Sequence, residues 1–131
     1  MSQSEFREIV NVAIVFAIVM AICLLTSMLL GDELSEVRRI APKYSAAVEV
    51  RQWDDTRIDM LTDTHAIEVD WSEKWAEAVG QSLYYAAVSG RKPGICLLVR
   101  DREKESRHIF RCQTVCVRHG IWLFLEPVSE K

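Results

Sequence analysis

Two acids stand mid-run in neighbouring alternating segments: Asp59 in Arg57-Ile-Asp-Met-Leu61, and Glu68 in His65-Ala-Ile-Glu-Val-Asp-Trp71. Ile58, Met60, Ile67 and Val69 flank them, so both carboxylates project from the pleat face opposite those apolar residues. The short Thr62-Asp63-Thr64 turn joins the segments into a hairpin, in which the two acids can sit across from each other. Facing carboxylates repel unless a proton or a cation lies between them. Oxygen ligands in that setting suit Mg2+ or Mn2+, which take one or two carboxylates together with water and phosphate. Acids alternating along an exposed sheet face are also common, and two acids alone favour that plainer explanation.

The segment that follows changes the balance. Lys74, Gln81 and Tyr85 are spaced seven and four apart, which on a helix lays them along one stripe. That stripe begins directly after the strand bearing Glu68. It is the polar side of an otherwise apolar helix. A cation, an amide and a phenol beside paired acids would bind and polarise a phosphodiester.

Asp59, then Glu68-Val69-Asp70, then Gln81-Ser-Leu-Tyr-Tyr85 together resemble the PD-(D/E)XK nuclease superfamily, in the branch with a Q-x-x-x-Y helix motif. The order of strands and helix from about Val48 to Val99, roughly half the chain, matches that superfamily's core. The resemblance implies Asp59 as the first metal-binding acid and Glu68 as the second, with the Val69 carbonyl as a further ligand. It also implies a lysine two residues after the second acid, where this chain has Asp70. Either Lys74 supplies the ammonium from a migrated position, or the site is inactive as a nuclease. Asp70 then adds a metal ligand or caps the helix. The implied mechanism is metal-assisted hydrolysis, with Lys74 positioning the water and Gln81 and Tyr85 holding the substrate backbone. Arg57, Arg91 and Lys92 are basic candidates for phosphate contact, though a solvated surface explains the last two equally well. An acid near the start of the first helix, Glu33 or Glu36, sometimes takes part in such sites, and the signal for it here is weak.

The elements that must position these residues read as follows. Glu33 to about Ala41 forms a short helix stopped by Pro42. Ala46–Trp53, Arg57–Leu61 and His65–Trp71 are strands of an antiparallel meander. Ser72 to Val88 is a helix, capped by Asp70 or Ser72 and closed by Ser89-Gly90. Apolar residues cover most of its circumference, which predicts packing on several sides. Ile95–Val99 is a buried central strand. Arg102 to Arg118 is a second helix with Ile109, Cys112, Val115 and Cys116 inward, and Ile121–Leu125 is the final strand. The order α-β-β-β-α-β-α-β predicts an α/β domain, a mixed sheet with helices on both faces.

Residues 9–30 carry no charge, and only Asn11, Thr26 and Ser27 are polar there. Such a run can cross a hydrocarbon core of roughly 30 Å. The start MSQSEFRE is not basic, and no small-x-small cleavage site follows, so an uncleaved anchor is favoured over a signal peptide. Residues 1–31 therefore read as a single-pass membrane anchor contacting lipid, and 32–131 as the domain. Arg38, Arg39 and Lys43 against Arg7 put that domain in the cytoplasm, with a periplasmic or exported domain as the alternative. Cys96, Cys112 and Cys116, an odd number, read as buried thiols rather than a disulfide framework. His65 reads as polar surface, and Trp53, Trp71, Trp75 and Trp122 as core or membrane-proximal packing.

Charge argues the other way. Leaving out Glu5, Arg7 and Glu8, 15 basic residues face 17 acidic ones, whereas nucleic-acid binders are usually basic. The expectation is a membrane-anchored, Mg2+- or Mn2+-dependent nuclease-like domain acting on nucleic acid. Its rival is a catalytically inactive interaction or assembly module of the same fold.

Overall fold

The computed structural model describes residues 2–129; Met1, Glu130 and Lys131 lie outside the described residues, so the last two positions of the expected domain are not covered. The first helix, α1 (Gln3–Ile40), is continuous, where the sequence suggested an apolar span followed by a separate short helix. A lone Gly31 costs about 1 kcal/mol in a helix, too little to break one flanked by strong helix formers. Pro42 does stop it: the chain tightens into a 3-10 turn, Ala41–Tyr44, with proline in its first turn, and Ser45 closes it at φ 52°.

The chain divides into two compact units, Met1–Leu34 and Ser35–Lys131. In the first, Ile9, Val12, Phe16 and Leu24 are all exposed, and the helix is long and apolar enough to cross a membrane.

The second unit is α/β, a five-stranded mixed sheet flanked by helices. Its strands are β1 (Ala47–Arg51), β2 (Arg57–Leu61), β3 (His65–Trp71), β4 (Lys92–Val99) and β5 (Trp122–Pro127), in the spatial order β1-β2-β3-β4-β5. The first three form the antiparallel meander, and β3-β4-β5 are parallel. Each parallel step is bridged by a helix, as such a step requires: α2 (Trp75–Ser89) and then α3 (Ser106–His119).

Alternation along β3 divides the core in two. Ile67, Val69 and Trp71 join Met60, Cys96 and Leu98 against Val37, Ile40 and Ala41 at the end of α1. On the other face Ile95, Leu97 and Val99 meet Ala78 of α2 and Cys112 and Cys116 of α3. The three cysteines are buried and free.

Several expectations change in detail. α2 is not packed on several sides: only Ala78 and Ser82 are buried, while Leu83 and Tyr84 are exposed. It lies on one sheet face, and its small alanines tolerate water on the other side. It also has no side-chain cap. A 3-10 turn, Ser72–Lys74, precedes it; the Ser72 hydroxyl donates to Glu105, and Asp70 accepts the Trp71 N–H at 2.8 Å. The second domain helix starts at Ser106 rather than near Arg102. Asp101 and Glu105 gather the N–H groups of Arg100, Asp101, Glu103 and Lys104 into a turn that competes with helix. Trp53 is not packed: it is 82% exposed. Trp71 is buried, with the Arg100 guanidinium 3.8 Å from its ring centre.

Gly94 of β4 lies close against a neighbouring side chain. A Cβ built there would stand 3.0 Å from Cγ1 of Ile67, which is fully buried and has nowhere to move. Gly94→Ala is expected to lower stability by about 1–3 kcal/mol, the usual cost of overpacking. Thermal unfolding of the full chain in detergent measures it; an unchanged midpoint would mean that Ile67 repacks freely.

Candidate active site

The acid pair is set by where the β2–β3 ladder stops. Its paired residues are Met60 with Ile67 and Leu61 with Ala66, and carrying that register one residue further puts Asp59 opposite Glu68. Beyond this point a side chain replaces backbone pairing: the Val69 N–H donates to Asp59 Oδ2 at 2.8 Å. The Glu68 carboxyl lies beside that of Asp59, close enough to act on its ionisation. Glu68 is 5% exposed and Asp70 4%.

Burial is the main reason the Asp59 carboxyl is pushed up to about 6; Glu49 and Asp70 push the same way, while the Val69 N–H and Glu68 bonds oppose it. A carboxyl titrating there is poised near neutrality, suited to giving its proton up to a base or a cation. Burial also raises the Tyr85 phenol, helped by the charges of Glu68 and then Asp59. The helix tyrosine is therefore within electrostatic range of the acid pair.

Lys74 and Asp70 form an ion pair of 3.6 Å, with the lysine half-exposed and the aspartate buried. Burial raises the Asp70 carboxyl, and the Trp71 N–H and Lys74 partly offset it. Lys74 lies in the 3-10 turn rather than on α2, so the spacing of seven to Gln81 does not run along one regular helix. Gln81 is turned to its own helix, its amide donating to Glu77 at 3.2 Å. That bond accounts for it without the acid pair.

The remaining candidates lie elsewhere. Arg57 pairs with Glu49 at 3.2 Å, and Arg91 donates to the Asp63 carbonyl. Glu36 belongs to the opposite side of the sheet, bonded to Arg39 at 2.6 Å and to Ser129. Among the described residues no group of three or more His, Cys, Asp or Glu is arranged to hold a metal ion. Asp59, Glu68 and Asp70 are thus not gathered as a three-carboxylate ligand set. Asp59 and Glu68 remain as a pair, a donor number that Mg2+ accepts when phosphate and water complete its shell.

Sequence reasoning passed over Glu49. The β1–β2 register, Val48 with Met60 and Val50 with Ile58, sets Glu49 opposite Asp59, and its charge raises both Asp59 and Tyr85. Its φ of 55° is left-handed, a conformation that costs a residue with a Cβ on the order of 1 kcal/mol. The alternation of Val48 and Val50 carried the signal: it put Glu49 on the face that also holds Asp59. Asp54 is tied to the same helix by the Tyr84 hydroxyl.

No protein-family model, curated protein or solved structure matches this chain.

The raised Asp59 carboxyl fixes a pH response. Its folded pKa, about 6, lies above the unfolded value near 4. The folded state therefore binds the extra proton in that window, and its stability falls as pH rises from about 4 to about 6. The slope is at most about 1.4 kcal/mol per pH unit. His65 is depressed, by burial first and Lys92 second, and works in the opposite sense, so the informative quantity is the parent compared with Asp59→Asn. The stability advantage of the parent over that variant is expected to shrink across pH 4–6 in denaturant titrations. A constant difference would contradict the raised carboxyl.

Proposed function

We propose that this chain is a membrane-tethered, metal-dependent phosphodiesterase of the PD-(D/E)XK type, acting on nucleic acid. The single observation that carries the reading is the placement of the Asp59 and Glu68 carboxyls side by side on adjacent strands, within electrostatic range of the Tyr85 phenol. Burial pushes the Asp59 carboxyl up beside Glu68, and a divalent cation between two such acids would relieve the cost of ionising both. Asp59 and Glu68 would hold Mg2+ or Mn2+. The chemistry such an ion supplies is neutralisation of phosphate charge and a more acidic attacking water.

The chain's own groups have distinct tasks. Lys74 carries its ammonium to Asp70, the position two residues after Glu68 where the resemblance calls for a lysine. From there it orients the attacking water. The Tyr85 phenol, held protonated, donates a hydrogen bond to the phosphate. Asp70 keeps Lys74 in place rather than ligating the ion. Gln81 must leave Glu77 to reach a substrate. The uncharged run at residues 9–30 anchors the domain in lipid, and Arg38, Arg39 and Lys43 favour a cytoplasmic domain.

One observation favours the rival, a non-catalytic binding or assembly module. Asp59 is already satisfied by the Val69 N–H and by Glu68, so the fold has no need of a cation.

The deciding experiment incubates the full chain in detergent with labelled single- and double-stranded DNA and RNA, with Mg2+, Mn2+ or chelator, and measures Mn2+ binding in parallel. Metal-dependent cleavage is expected. Asp59→Ala and Glu68→Ala should abolish Mn2+ binding, and Lys74→Ala should keep it while slowing cleavage by about 10²-fold or more. Absence of cleavage with either metal, or acid variants that bind Mn2+ like the parent, would leave the binding module as the better reading.

A further inference from the structure

The sheet face opposite the acid pair carries a concavity of about 370 Å3, lined by Tyr44, Thr62, Thr64, His65 and Trp122. That volume is at the lower end of the roughly 300–1,000 Å3 that small-ligand pockets occupy. Its walls are flat rings. Trp122 lies 4.6 Å from Phe124, 5.0 Å from His65 and 5.8 Å from Tyr44, centre to centre. Trp122 is 39% exposed, although an indole on an edge strand gains by burial. It offers an open aromatic surface rather than a finished core.

The rim is polar and, on one side, cationic. The Thr64 hydroxyl and His65 Nδ1 are 2.8 Å apart, and the Thr62 hydroxyl accepts the His65 N–H at 2.8 Å. Lys92 is the register partner of His65, and its N–H binds the Thr64 carbonyl. Its ammonium is near enough to His65 to act on that ring's charge. Arg91 reaches the Asp63 carbonyl of the same turn. Asp63 sets one carboxylate against these two cations, and Lys43 is spent on Glu126 at 2.7 Å. Open rings beside hydroxyls and two cations complement a planar, hydrogen-bonding heterocycle that carries an anion.

We propose that this pocket binds a nucleobase bearing a phosphate, with the base stacked on Trp122 and the phosphate at Lys92 and Arg91. Base stacking on exposed aromatic rings beside cations is how single strands are held without sequence preference. The ligand is a free nucleotide or one residue of a strand, and both present the same chemistry. The site does not depend on the acid pair: Glu68 is three residues along β3 from His65, roughly 10 Å, but on the other face. If the acid pair cleaves nucleic acid, the pocket grips the strand at a distance from the cut.

The test titrates the full chain in detergent and chelator with AMP, with ribose 5-phosphate and with a labelled single-stranded oligo(dA), following tryptophan fluorescence and anisotropy. AMP, oligo(dA) or both are expected to bind, and ribose 5-phosphate should bind at least tenfold more weakly. Binding of the oligonucleotide alone assigns the ligand to a strand, and binding of AMP alone to a free nucleotide. Trp122→Ala should weaken binding about tenfold or more. Trp122→Phe, which keeps a ring and guards against a folding defect, should retain most of it, and Lys92→Ala should weaken it and flatten its salt dependence. Asp59→Asn should bind like the parent, which separates this site from the acid pair. No binding at millimolar AMP and micromolar oligonucleotide overturns the proposal. So does binding indifferent to both Trp122→Ala and Lys92→Ala, or equal binding of ribose 5-phosphate, or a pocket that takes only a proline-rich peptide.

Discussion

The Val69 N–H donating to the Asp59 carboxylate is the contact from which the acidic face is built. Regular antiparallel pairing would give that N–H a backbone carbonyl of β2, and the ladder instead ends at Met60 and Ile67. A side-chain acceptor at this position does two things. It satisfies a buried donor that would otherwise cost about 1–3 kcal/mol, and it fixes one carboxylate directly beside the other. Asp59 cannot leave Glu68 without orphaning the backbone of the central strand.

The same alternation that makes β3 a core strand makes it asymmetric in charge. Ile67, Val69 and Trp71 face the end of α1, while Glu68 and Asp70 face α2. Buried acids need partners, and the chain supplies a different one to each. Glu68 has the Asp59 carboxyl, Asp70 has the Trp71 N–H and Lys74, and across the sheet Glu126 has Lys43 and Tyr44. The Glu126 set joins the chain after α1 to β5. Asp70 and Glu126 thus each have a lysine, whereas Asp59 is held by the Val69 N–H beside Glu68.

Element order and sheet pairing were legible because apolar alternation and turn residues specify them locally. The Asp59–Glu68 contact was legible for the same reason: a short hairpin with matched alternation admits one register that buries Met60 and Ile67 together. What was hidden depended on competition between alternatives of similar local energy. Asp70 had two good uses, as helix cap or as partner of Trp71 and Lys74, and nothing along the chain ranks them. Gln81 has Glu77 one turn earlier, and a bond within the helix costs less ordering than a reach across it. The separation expected between the apolar run and the helix beginning at Glu33 is absent, because one glycine is outweighed by its helix-forming neighbours. The face of Glu49 was legible in the alternation of Val48 and Val50, whereas its left-handed φ of 55° was not. Trp53 shows that an aromatic beside a turn is as readily a hairpin tip as a core residue.

The acidic balance of the chain, formally −3, at first opposes a phosphate-bearing ligand. Placement matters more than the total. Glu49, Asp59, Glu68 and Asp70 act on one another or on Tyr85 electrostatically, so negative potential gathers on the α2 side of the meander. Such a face repels a bare phosphate and attracts a divalent cation. On the proposed function, a divalent cation held by Asp59 and Glu68 would lower that negative potential and so ease the approach of phosphate. The proposed ring-lined pocket on the other face meets less of a barrier, since Lys92 and Arg91 adjoin its Thr64–His65 side and the nearby Glu126 is paired with Lys43.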